Sequence, residues 1–367
     1  MSTHKVNIIL FGIGNVGSTL INQVIESQDF FLEKKNIELR FPIITNSTLA
    51  FFEKEGIRNS WEANFAQSAI PFRIEDIIEY VKINQLENLV AVDATASGEL
   101  VKDYLKLIQN GFHIVAANKI ANTLPLSLYD EIRENLQKFD KTFLYETNVG
   151  AGLPVVQTIR DLHYSGERIT KIQGVFSGSL SYIFNAFAKE EVPFSTIVQR
   201  AEKLGYTEPD SREDLSGNDV ARKLLILARE IEQSFEFSDV KVTSLLLPSL
   251  EENVTRSEYK RNITQLDEPF HTAKITQLPD HVLRYIGELD VEKQKLEVKL
   301  VSEPLGSPLG QLKGADSLIA IFTDSYGDNP IVIQGAGAGK EVTARGVLTD
   351  ILKVAEIIKT KEICLIS

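Results

Sequence analysis

The run Lys5 to Phe11, KVNIILF, is apolar and stops at Gly12-Ile13-Gly14-Asn15-Val16-Gly17, after which Val16, Leu20, Ile21, Val24 and Ile25 recur at helical spacing. Strand, glycine turn and helix in immediate succession restrict this segment to the start of a βαβ unit built to hold a dinucleotide. Gly12 permits the tight turn, Gly14 lets the backbone approach a pyrophosphate at the helix N-terminus, and Gly17 lets helix and strand pack closely. Ile13, Asn15 and Val16 complete the candidate cofactor-binding backbone.

The pattern continues. A strand from Ile37 ends at Thr45, and the next residues, Asn46 and Ser47, offer no carboxylate where an adenosine ribose is read, so the preference leans to NADP over NAD. The strand Asn88 to Val92 delivers Asp93 and Thr95, the strand Phe112 to Ala116 delivers Lys119, and the strand Thr142 to Tyr145 delivers Glu146. Helical segments separate them, which predicts an α/β fold with a Rossmann-type doubly wound parallel sheet. Ligands of such sheets lie beyond the carboxyl ends of the strands, where Gly12, Thr95, Lys119 and Glu146 all fall. Residues 48 to 88, with the lone Trp61, carry no functional signal.

From Leu153 the alternation weakens, and strand-like segments Lys171 to Phe176, Val282 to Leu289, Lys295 to Val301, Leu318 to Thr323 and Pro330 to Gln334 suggest an α+β second domain. The expected division is a dinucleotide-binding domain over 1-150, to which 335-367 returns, and a substrate-binding and dimerisation domain over 151-334. The Gly335 to Lys340 stretch, GAGAGK, is no phosphate loop, because Glu341 follows Lys340 where Ser or Thr is needed. Within the second domain, Ala201 to Lys223 gathers Glu208, Asp210, Glu213, Asp214 and Asp219 at the start of a helix whose buried face is Val220, Leu224, Leu227 and Ile231. Ser216, Asp219, Lys223 and Ile226 form the neighbouring stripe. It reads either as a capping box with an Asp219–Lys223 pair or as a lysine held among carboxylates for proton transfer.

Composition narrows the partners. At 367 residues, 43% hydrophobic and 25% charged, the chain is that of a globular protein with two domains. A net charge of -12 without basic clusters argues against nucleic acid or an anionic membrane, and favours a small-molecule ligand. One cysteine, Cys364, and five dispersed histidines give no disulfide and no zinc spacing. Neither a membrane-length apolar run nor a signal-peptide pattern is visible, so a cytoplasmic location is expected.

The motifs GIGNVG, AANK, YETNVGAGLPV, FSGSLSYIF, GYTEPDSREDLSGNDVARK and QGAGAGKEVTARGV together resemble homoserine dehydrogenase, in that family's order and over nearly the whole chain. The resemblance is nearest to the dehydrogenase half of bifunctional aspartokinase-homoserine dehydrogenases, with no kinase segment ahead of it and no ACT domain expected behind it. It implies reversible NAD(P)H-dependent reduction of L-aspartate 4-semialdehyde to L-homoserine, on the way to threonine and methionine. It further implies Lys223 as acid/base residue, Lys119 as a second catalytic or cofactor-contacting lysine, and Glu208, Asp214 and Asp219 as substrate-binding residues. Gly205 and Gly339 would line the cofactor pocket. Glu146, Val149, Ala151 and Leu153 would hold a sodium ion, mostly through backbone oxygens, and the enzyme would be a homodimer. Two positions depart from the family pattern: Glu213 stands where Asp is usual, and Ile120 where a second lysine is common. Rival readings are a related dehydrogenase, of which the cysteine-nucleophile kind is disfavoured by Cys364 being the only thiol, and a nucleotide-sensing protein without turnover.

Overall fold

The computed structural model describes residues 3–251 and 254–366, with side chains as far as Glu362, so the side chain of Cys364 lies outside the described residues. The chain divides into two compact units, Met1–Gly152 with Gly339–Ser367, and Leu153–Ala338.

Among the described residues the first unit holds seven strands: β1 (His4–Phe11), β2 (Ile37–Thr45), β3 (Leu49–Phe52), β4 (Ile70–Pro71), β5 (Leu89–Asp93), β6 (His113–Ala116) and β7 (Phe143–Leu144). Their order is β4-β3-β2-β1-β5-β6-β7. β2, β1, β5, β6 and β7 are parallel, as the alternation predicts. β3 and β4 run antiparallel, so the sheet is mixed rather than wholly parallel. The cause is local: Asn46 Oδ1 accepts the backbone N–H groups of Thr48 (2.9 Å) and Leu49 (2.7 Å), closing a turn that sends the chain straight back beside β2. The stretch without sequence signal, 48 to 88, thus supplies the two outermost strands on one side of the sheet, of which β4 is the edge, and the helices Trp61–Ser68 and Ile74–Ile83. Trp61 is buried and its indole N–H donates to Asn22 of the helix Asn15–Lys35.

One layer of the core joins Val6, Ile8 and Leu10 to Leu20, Ile21 and Val24 on one side of the sheet. Val347, Ile351 and Val354 of the C-terminal helix, Lys340–Ile366, complete the same layer.

The second unit contains β8 (Ile169–Val175), β9 (Val240–Val242), β10 (His281–Asp290), β11 (Lys295–Pro304), β12 (Asp316–Thr323) and β13 (Ile331–Ala336), in the order β13-β12-β8-β10-β11-β9. Pairing is antiparallel except between β11 and β9. Helices Gly178–Lys189, Phe194–Lys203 and Asn218–Glu230 belong to this unit, and the last of these carries the candidate chemistry.

Candidate active site

In the first unit the glycine turn stands where the sequence puts it, between β1 and the helix Asn15–Lys35. Gly12 has φ +95°, a conformation that disfavours any side chain, and a Cβ on Gly17 would lie well inside contact distance of the Gly12 carbonyl oxygen. A Cβ on Gly14 would meet nothing within 4 Å. The N–H groups of Gly12 and Ile13 both donate to the Thr45 carbonyl (2.9 and 3.1 Å), tying the turn to the end of β2. The Ile13 N–H is therefore committed to the protein's own backbone.

Beside this turn lies a cavity of about 1250 Å³, lined by Gly12, Ile13, Gly14 and Thr95 together with Asn46 and Ser47. Asn15, Val16, Gly17 and Lys119 do not line it, nor does Glu146. Gly17 is buried and works through packing. The volume, the open face of Gly14 and the N-terminus of a 21-residue helix that no side chain caps suit a dinucleotide.

Sequence reasoning passed over the residue that holds the cavity wall formed by the Thr95 loop. Asp93, 1% exposed at the end of β5, accepts hydrogen bonds from Thr95 N–H (2.9 Å), Thr95 Oγ1 (2.7 Å), Tyr104 Oη (2.8 Å) and Asn118 Nδ2 (3.1 Å). Burial pushes the Asp93 carboxyl up, and these hydrogen bonds oppose the rise. Asn118 also donates to Ser97 O and accepts the N–H of Ile120. One carboxylate thereby orients both the Thr95 loop and the segment bearing Lys119, which is partly buried at the start of the short helix Ile120–Thr123.

The expected cation ligands divide between the units. Glu146 is buried in a 3-10 turn with Val149 and Ala151 close by in sequence, and its carboxylate lies 3.8 Å from Lys353 Nζ. Its carbonyl accepts the Val149 N–H. Leu153 opens the second unit, where its carbonyl accepts the N–H of Val155. Among the described residues no cluster of His, Cys, Asp and Glu has the make-up of a metal site. Gly339 has φ +123° and its carbonyl accepts from Thr343 at the start of the C-terminal helix.

In the second unit Gly217, φ +78°, precedes the helix Asn218–Glu230 and packs against the Tyr285 hydroxyl. Because the helix begins at Asn218, no Ser216–Asp219 capping box forms. Ser216 instead donates to the Glu213 carbonyl and accepts from Asn218 N–H. Lys223 is 8% exposed, with Nζ 2.8 Å from Asp219 Oδ2 and 2.8 Å from the Phe176 carbonyl. The carbonyl belongs to the junction of β8 with the helix Gly178–Lys189, and the following residues extend the cluster. Ser177 and Ser179 hydroxyls are 2.7 Å apart, Ser179 donates to Asp214 Oδ1 (2.5 Å), and the Glu208 N–H donates to Asp214 Oδ2 (2.9 Å). Burial raises the Asp214 carboxyl despite these bonds, and the charges of Glu208 and Asp219 raise it further.

Of the five acids in the signature, Glu208, Asp214 and Asp219 share one neighbourhood with Lys223. Asp210 faces Arg212 in an ion pair of 2.6 Å, which holds its carboxyl below the usual range, and Glu213 is exposed. Gly205 is exposed with φ +75° in the same loop. The Ser177–Ser179 chain was missed because a Ser-Gly-Ser run reads as a turn. Its position directly between a strand and a helix was the available signal.

Residues 154–352 match the family model described as homoserine dehydrogenase, and residues 12–146 match that described as homoserine dehydrogenase, NAD binding domain. The chain is 35% identical over 370 residues to the homoserine dehydrogenase of Saccharomyces cerevisiae, an alignment covering 97% of this chain and 99% of the relative. It is 38% identical over 353 residues to the bifunctional aspartokinase/homoserine dehydrogenase of Haemophilus influenzae, covering 96% of this chain and 43% of that protein, so it spans under half the length of such relatives. A solved structure of a Candida auris protein of unknown function superposes with a TM-score of 0.88 at 32% identity, over 96% of this chain and 98% of that one.

Proposed function

Because the chain belongs to the homoserine dehydrogenase family, we propose that it catalyses the reversible reduction of L-aspartate 4-semialdehyde to L-homoserine with a nicotinamide dinucleotide. The observation that carries this reading is the Lys223 cluster. An ammonium has three donors, and two are directed at Asp219 and the Phe176 carbonyl, which leaves one for a substrate oxygen. Gly12, Gly14 and Thr95 would hold the dinucleotide, which when bound supplies or accepts the hydride.

In the reducing direction the aldehyde carbon gains a hydride and its oxygen gains the electron pair of the C=O bond. Lys223 gives that oxygen a proton and becomes the neutral amine. In the oxidising direction the amine takes the proton back from the hydroxyl. Asp219 fixes the lysine one helical turn away, and Glu208 with Asp214 offers carboxylates to the substrate's ammonium group. Ser179 anchors Asp214 and so orients that pair.

A homodimer, a cytoplasmic location, a supporting role for Lys119, Gly205 and Gly339, and a monovalent cation on the Glu146, Val149, Ala151 and Leu153 carbonyls belong to the same proposal. For the dimer, support comes from β13, an edge strand whose Val332 is 41% exposed. For the cation, it comes from the likeness of the YETNVGAGLPV segment to the family motif, with backbone carbonyls being the hard oxygen donors such an ion takes. Purified protein given L-homoserine and NAD or NADP should generate the reduced dinucleotide, read by its near-ultraviolet absorbance. Tight dinucleotide binding with no turnover of homoserine would overturn the proposal.

A further inference from the structure

We propose that Arg73 is the residue with which this chain takes the 2'-phosphate of NADP, making the phosphorylated dinucleotide its preferred cofactor. The inference rests on the cavity beside the glycine turn being the cofactor site. It goes beyond that reading by naming the discriminating side chain.

The end of β2 bears on the matter first. Thr45, Asn46 and Ser47 carry no carboxylate to accept a ribose hydroxyl or to repel a phosphate. Asn46 has its oxygen committed to the N–H groups of Thr48 and Leu49, so through that atom it holds the turn. The turn is itself tied to the glycine elbow through the Thr45 carbonyl, which fixes this wall relative to the place where a pyrophosphate would lie.

The sheet then brings a cation to the same wall. β3 leaves the turn antiparallel to β2, and β4 returns antiparallel to β3 with Leu49 opposite Pro71 and Ala50 opposite Ile70. Continued by two residues, that course carries Arg73 back alongside Ser47, and both residues line the cavity. The Arg73 side chain is 77% exposed and meets one carboxylate, Asp76 Oδ1, through a single guanidinium nitrogen at 3.3 Å. A planar fork held loosely at one corner retains donors for a phosphate.

Acids also stand on the cavity's rim, each with a cation beside it. Glu75, whose charge reaches Arg73, is paired with Lys106, Glu99 is held by Lys102 at 2.7 and 2.8 Å, and Asp103 lies within the fields of both lysines as well as of Glu75 and Glu99. Arg73 is thus the cation adjoining the acid-free end of β2. A 2'-hydroxyl offers it a neutral partner and a 2'-phosphate offers a dianion, which is the larger gain.

The test is a fluorescence titration of the full chain with NADPH and NADH, for wild type, Arg73→Ala and Arg73→Lys, at low and raised salt. Wild type should bind NADPH more tightly, and more salt-dependently, than NADH. Arg73→Ala should weaken NADPH by about 10- to 100-fold, the range for losing a charge-assisted hydrogen bond, and leave NADH within about two-fold. Arg73→Lys should recover part of the loss. The thermal midpoint should not move, because the side chain is exposed. Unchanged NADPH affinity in Arg73→Ala, or equal losses for both dinucleotides, would overturn this inference alone. Failure of wild type to bind either dinucleotide would overturn the cofactor reading and the inference with it.

Discussion

Acidification should destabilise the first unit through one histidine. His113 begins β6, is 4% exposed, and accepts the Thr142 N–H on Nδ1 at 3.1 Å. Burial lowers it from 6.5 to about 4, with the charges of Lys141 and Lys361 adding to the effect. The unfolded chain therefore binds a proton near pH 6.5 that the folded chain refuses until about pH 4. The contribution to stability is whole above the unfolded value and is lost as pH falls through the window between the two. At about 1.4 kcal/mol per unit the full loss is on the order of 3 kcal/mol, of which about 2 falls between about pH 7 and about pH 5. Trp61 is the only tryptophan, is buried, and sits in the same unit, so its fluorescence in urea titrations reports the right transition. His113→Asn places an oxygen near the Nδ1 position to keep the Thr142 bond, and its packing loss is constant with pH. Carboxylates other than Asp140, whose charge is coupled to His113, titrate alike in both proteins, so the wild-type minus variant difference isolates the histidine together with that one coupling. A difference that stays flat across that window would refute the reasoning.

Two substitutions in the glycine turn should separate packing from binding. Gly17→Ala forces a methyl group onto the Gly12 carbonyl and should lose at least about 1–3 kcal/mol in the Trp61-monitored transition. Gly14→Ala has open space and a φ of -70°, so it should unfold within about 0.5 kcal/mol of wild type while dinucleotide affinity falls. In the second unit, Arg284 is 3% exposed and donates to the carbonyls of Leu283, Leu309, Gly310 and Leu312 and to Asn185 Oδ1, with burial lowering it to about 10. Arg284→Met should orphan these acceptors and destabilise by about 3–5 kcal/mol in a calorimetric scan.

What the sequence disclosed follows from which forces are local. The glycine turn is a local steric demand, so Gly12, Gly14 and Gly17 could be read directly, and the β1–β2–β5–β6–β7 layer followed from alternation. The Asp219–Lys223 pair was legible because helical spacing alone brings those groups together. β3 and β4 were not, since strands of four and two residues carry no periodicity and depend on the Asn46 side chain folding the turn. Asp93 looked like a strand-end residue until β6 brought Asn118 beside it. Arg284 sits mid-strand, where a charge suggests an exposed face. A turn far along the chain at Leu309 to Leu312 covers it with carbonyls instead. Asp210 was grouped with the site acids by sequence proximity, and its own neighbour Arg212 draws it away.

The central claim is that the amine of Lys223 moves the proton in homoserine oxidation. Steady-state turnover of L-homoserine by wild type, Lys223→Ala and Lys223→Arg tests it directly, with dinucleotide affinity measured alongside. Both variants should bind dinucleotide as wild type does and lose kcat by at least about 10²-fold, the arginine included, because a guanidinium keeps the charge and does not yield its proton. Turnover undiminished in either variant would contradict the claim.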